Sequence, residues 1–184
     1  MKRAIVLALS VILALVVAAP TVLAQQGGPP NGRPPEAVSE EPFVLPARDP
    51  NASDDDPASL GCDFPVLYEP SGKGKAIFLP DGGFIFTSPG LYVTVTNFTN
   101  EVRGESLTYN VTGSIHGTPR PDDPNVVDYV ITGRNLASDP AGLFLNIGRF
   151  TYTLRLDPVT GQVIEIVEPQ QGKGQAIDVC ALLS

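Results

Sequence analysis

Along much of this chain after residue 60, apolar side chains recur at every second position, and that spacing narrows the choice of fold. In Leu91-Tyr92-Val93-Thr94-Val95-Thr96, residues 91, 93 and 95 lie on one side. Leu107, Tyr109, Val111, Gly113 and Ile115 share a side, while Thr108, Asn110, Thr112, Ser114 and His116 share the other, which reads as one continuous strand. Phe150, Tyr152, Leu154 and Leu156 oppose Thr151, Thr153, Arg155 and Asp157. Period two is the signature of a strand with one buried face, because successive side chains of extended backbone point to opposite sides.

Turn residues separate these runs. Pro80-Asp81-Gly82-Gly83 stands between Lys75–Leu79 and Phe84–Thr87, a hairpin signal. Ser88-Pro89-Gly90, Glu101–Glu105, the acidic Pro119–Asn125 and Asp157–Gly161 mark further corners. The expected fold is all-β, an antiparallel barrel or sandwich of about eight or nine strands, with no amphipathic helix. Closure into a barrel would remove exposed strand edges, so the expectation leans that way.

Three regions are read: residues 1–24, 25–60 and 61–184. Lys2 and Arg3 precede an apolar run from Ala4 to Ala19, then Pro20, with Val22 and Ala24 at the positions of a small-residue cleavage site. A signal peptide cleaved before Gln25 is expected. Membrane contact would follow only if that segment stayed uncleaved as an anchor. Residues 25–60 are rich in proline, glycine and acids, and are expected to form a disordered linker. The β-domain then spans 61–184.

Cys62 and Cys180, near the two limits of that domain, are the chain's 2 cysteines. In an exported protein they are expected to pair, with a stabilisation of about 4–5 kcal/mol from the chain-entropy model. The formal net charge is -8, and loss of residues 1–24 removes two basic groups and no acid. Such a chain repels phosphate backbones, so no nucleic-acid partner is expected.

No catalytic residue, cofactor or metal site is expected. His116 is the chain's 1 histidine. Ser114 lies about 6–7 Å from it along a strand, too far for a direct hydrogen bond. One histidine and two oxidised cysteines cannot assemble a zinc site. Calcium at Asp54–Asp56 lacks the EF-hand pattern, and the Pro121–Asn125 loop offers oxygen ligands but reads as an acidic turn. Glu69, Asp128 and Glu165 show no spacing that pairs them for glycoside hydrolysis. Gly72-Lys73-Gly74 and its echo Gly172-Lys173-Gly174 read as turns feeding two strands, with a pair of anion-binding nests as the other reading. Thr132-Gly133-Arg134-Asn135 is the most suggestive segment. Gly133 would allow a bulge, Arg134 could meet a carboxylate ligand, and the segment could instead pin an Asn135–Gly142 loop. The candidate ligand or loop-organising residues are Arg134, Asn135 and His116.

Phe86-Thr87-Ser88-Pro89-Gly90, Ile131-Thr132-Gly133-Arg134-Asn135-Leu136 and Asp178-Val179-Cys180-Ala181-Leu182-Leu183 resemble segments of small secreted bacterial proteins of unknown function. The resemblance covers residues 61–184. It implies an exported β-rich domain and brings no activity or site residues. The functional expectation is a secreted or envelope-associated, monomeric, non-enzymatic domain. It would bind a small apolar ligand or an extracellular partner. A structural, surface-displayed envelope protein is the alternative, and an extracellular enzyme comes third.

Overall fold

The computed structural model describes residues 36–37 and 41–184, so the expected signal peptide and residues 25–35 and 38–40 of the expected linker lie outside the described residues. The strands in chain order are β1 (Glu36–Ala37), β2 (Phe43–Leu45), β3 (Val66–Ser71), β4 (Lys73–Phe78), β5 (Phe84–Thr87) and β6 (Tyr92–Asn97). They continue as β7 (Ser106–Asn110), β8 (Gly113–Pro119), β9 (Val126–Asp139), β10 (Gly142–Leu156) and β11 (Val163–Asp178), and α1 (Val179–Leu182) closes the chain. A 7-stranded sheet runs β1-β4-β5-β8-β9-β10-β11, and a 4-stranded sheet runs β2-β3-β6-β7. All pairings are antiparallel.

The fold is all-β, as the alternation demands, but the sheets stay open as a sandwich and do not close into a barrel. Exposed edges are managed locally instead. The edge strand β2 has only 3 residues. The long edge strand β11 carries Pro169, Gly172 and Lys173, and its Ile166 N–H donates to the Asp55 carbonyl at 2.9 Å. One apolar core lies between the sheets. Phe84, Phe86, Ile115, Tyr129, Ile131 and Phe150 come from the large sheet, and Val66, Tyr68, Val93 and Val95 from the small one.

Two segments differ from the sequence expectation. The run 107–116 is not one strand. It breaks at Val111-Thr112, where the Asn110 side-chain oxygen accepts from the Thr112 N–H and hydroxyl, and the chain crosses from the small sheet into the large one. Alternation survives the break, which is why the pattern looked continuous. Nor is Asn135–Gly142 a loop. Strand β9 runs on to Asp139, and Pro140-Ala141 alone separates it from β10.

Residues 41–60 of the expected linker are part of the folded domain. The ring of Phe43 stacks on Tyr68 with centroids 5.0 Å apart. The Arg48 N–H donates to the Cys62 carbonyl at 2.8 Å, and its guanidinium donates to the Pro140 carbonyl at 3.0 Å. Sparse apolar residues were enough here because Phe43 and Leu45 reach an existing core.

Cys62 and Cys180 are bonded, with Cα atoms 5.4 Å apart and a sequence separation of 118. The bond ties the lead-in to β3 to α1. The turns share one device. Each Asp-Pro dipeptide, at 49, 56, 123, 139 and 157, accepts on its carboxylate the N–H of the residue after the proline. Proline fixes the turn dihedral and aspartate satisfies the amide it leaves exposed.

A row of glycines crosses four strands. Gly113 faces Gly133, Gly133 faces Gly148, and Gly148 faces Gly174. Here the buried side of the strands changes phase: Tyr129 and Ile131 are buried on one side of Gly133, Leu136 on the other. On β10, Leu143 and Leu145 precede the switch, and Phe150 and Leu154 follow it. Gly133 has φ 86° and Gly148 φ 144°, both in the region that side chains avoid. A Cβ on Gly148 would stand 2.4 Å from the Lys173 carbonyl oxygen.

Gly148→Ala is therefore expected to destabilise the domain by about 2–3 kcal/mol, read as a lower denaturant midpoint. Reduction of Cys62–Cys180 is expected to cost about 4–5 kcal/mol, read from unfolding curves with and without reductant.

Candidate functional site

The outward face of the large sheet is the most organised polar surface of the domain. Register places Lys75, Thr87, Ser114, Thr132, Arg149 and Lys173 in one continuous row across β4, β5, β8, β9, β10 and β11. With strands about 4.8 Å apart, the row is about 24 Å long. The next row contains Ile77, Ile85, His116, Val130, Thr151 and Gln171. A third holds Thr118, Asp128, Thr153 and Glu168.

The third row is self-satisfied. Arg120 donates to Asp128 at 2.8 Å and to Glu168 at 2.8 Å, and the Thr153 hydroxyl donates to Asp128 at 2.8 Å. Beyond it Arg155 joins Asp123 at 2.6 Å and Glu165 at 2.7 Å. On the small sheet Arg103 grips Glu69 with two bonds of 2.8 and 2.9 Å. The acids weighed for hydrolysis are thus each locked to a different arginine, and Glu69 lies on another sheet from Asp128 and Glu165. Among the described residues no three His, Cys, Asp or Glu side chains converge as a metal site.

The three candidate residues separate. His116 is exposed in the middle row, facing Ile85 and Val130. Ser114 does not reach it: the Ser114 hydroxyl is bonded to Thr132 at 2.7 Å. Asn135 is buried, and its amide donates to the Thr132 carbonyl at 2.9 Å, bridging the Gly133 kink. Arg134 is exposed in β9 opposite Ile147, and its backbone N–H donates to the Thr112 carbonyl at 3.1 Å.

Sequence reasoning missed Arg149. Its only signal was proximity to Gly148, which has meaning only when β9 and β11 are seen to carry glycines opposite. The second glycine-lysine-glycine copy also differs from expectation. It lies inside β11, paired with Phe150, Arg149 and Gly148, and is not a turn. Gly72 is a true corner with φ 115°, between β3 and β4.

Between the sheets, Tyr68, Phe86, Leu91, Val93, Ile115 and Asn135 line a cavity of about 40 Å³. That is room for water, not for an organic ligand. Tyr129 and Tyr152 stack in the core with ring centroids 4.9 Å apart, and burial pushes both phenols well above their ordinary range.

Charge–dipole contacts set the response to acid. The Arg103 guanidinium lowers Glu69, Arg155 lowers Asp123, Arg120 lowers Asp128, and the turn N–H groups of Thr160 and Val159 lower Asp157. Burial raises Asp139. The four lowered carboxyls bind protons more weakly folded than unfolded. Their stabilisation is full above the unfolded carboxylate pKa of about 4 and is lost as pH falls through the lower folded values. Asp139 acts in the opposite sense. The denaturant midpoint is expected to fall from about pH 5 toward pH 3, and Arg155→Gln to make that fall shallower by releasing Asp123.

Compared with protein-family models, curated proteins and solved structures, the chain matches none.

Proposed function

We propose that the mature chain is an exported, non-enzymatic β-sandwich domain whose surface binds an extracellular partner. The Cys62–Cys180 bond carries this reading. Disulfides form and persist in oxidising compartments. The basic start at Lys2 and Arg3, the apolar run and Val22-Leu23-Ala24 agree with that route. No helix among the described residues is long and apolar enough to cross a membrane.

The interior argues for a surface role. Ligand cavities run to about 300–1,000 Å³, and the cavity lined by Tyr68, Phe86 and Ile115 is about 40 Å³. A small apolar ligand held inside therefore has less support than a partner held outside. The hydrogen bonding of Ser114 to Thr132, away from His116, supports a role without nucleophilic catalysis. A second reading, a surface-displayed envelope protein, draws on the fastening of residues 41–60 to Tyr68 and Pro140. Those contacts would carry a pull on the Pro-rich segment directly into both sheets.

Fractionation of the host and intact-mass measurement test the proposal. The chain is expected outside the cytoplasm, starting at Gln25, and two hydrogens lighter than its reduced form. A cytoplasmic chain with two free thiols overturns it.

A further inference from the structure

We propose that Arg149 and Lys173 form a docking site for a carboxylated polysaccharide lying across the strands of the large sheet. The inference rests on reading the domain as an extracellular binding module, and it names the partner's chemistry.

Pairing among the arginines sets the site apart. The described arginines are 48, 103, 120, 134, 149 and 155. Arg48, Arg103, Arg120 and Arg155 each hold a carboxylate. Arg134 and Arg149 hold none among the described residues, although acids outnumber basic residues 20 to 12 in the chain. Arg149 stands directly opposite Lys173 on the neighbouring strand, and both are exposed. Like charges at opposed positions of an antiparallel pair repel. Elsewhere on this face Arg120 and Arg155 relieve their charge with aspartate and glutamate. Among the described residues no acid does the same for Arg149 or Lys173.

Thr132, Ser114 and Thr87 continue the row from Arg149 to β5 before Lys75 ends it on β4, and Thr151 and Gln171 lie nearest the pair in the adjacent row. A polymer whose units carry both carboxylate and hydroxyl groups matches this mixture. Guanidinium binds carboxylate in a fork, and the neutral side chains bind hydroxyls. Polyphosphate, which carries anionic oxygens and no hydroxyl groups, matches only the cationic part of this mixture.

The test is binding of the oxidised mature chain to polygalacturonate, with dextran and polyphosphate as comparison polymers. Arg149→Gln/Lys173→Gln is set beside Arg103→Gln, whose arginine lies on the small sheet. Wild type is expected to bind polygalacturonate at low salt and not dextran. The double substitution is expected to weaken binding by about tenfold or more, and Arg103→Gln by less than about twofold. Near-native unfolding midpoints would show that the variants fold. Absence of binding by wild type, equal losses in both variants, or tighter binding to polyphosphate overturns the proposal. An exported chain that ignores polygalacturonate refutes this site alone. A cytoplasmic chain that binds it through Arg149 refutes the export reading alone.

Discussion

Close backbone approach at the glycine row sets the geometry of the large sheet. Gly113, Gly133, Gly148 and Gly174 meet in register across four strands, and a Cβ at any of them would collide with neighbouring backbone. Because none has a side chain, β9, β10 and β11 can coil there and exchange the side they bury. Strands of 14, 15 and 16 residues are long for a small sandwich. On β10 one half buries Phe150 and Leu154, and the other half, near α1, buries Leu143 and Leu145. Leu143 and Leu145 then join the same core as Val179 and Leu183.

The cationic row follows from the same geometry. Arg149 and Lys173 sit one residue from Gly148 and Gly174, so the register that aligns the glycines also aligns the charges. A slip of one residue would turn both side chains to the other face. Fold and proposed binding surface thus depend on one alignment, with the ion-paired rows around Arg120 and Arg155 serving to hold the opposite end of the meander.

Much of the architecture was legible in the residues. Alternation identified β6 and the end of β10, and Pro80–Gly83 and Asp157–Gly161 marked true hairpins, because those signals are local. The Cys62–Cys180 bond was legible from position and compartment. Closure was not, since barrel and sandwich present the same period-two pattern and differ only in which strands pair at the edges. The split at Val111 was hidden because a change of sheet can keep the alternation. Residues 41–60 read as linker because their few apolar groups gain meaning only against Tyr68 and the core. At the candidate site, Arg134 and Asn135 were legible beside Gly133. Arg149 was not, since its opposition to Lys173 arises from pairing between distant stretches of sequence.

The placement of the two sulfurs decides what a proteolytic cut can do to the domain. They enclose β3 through β11, so every exposed turn from Pro80 to Gly161 lies within a covalent ring. A single cut at a projecting residue such as Val159, 90% exposed, opens the ring without releasing a fragment. The two pieces stay tethered at α1 and can remain paired across the sheet. Such a domain tolerates one nick as a scar, and it takes a second cut, or loss of the tether, to take it apart.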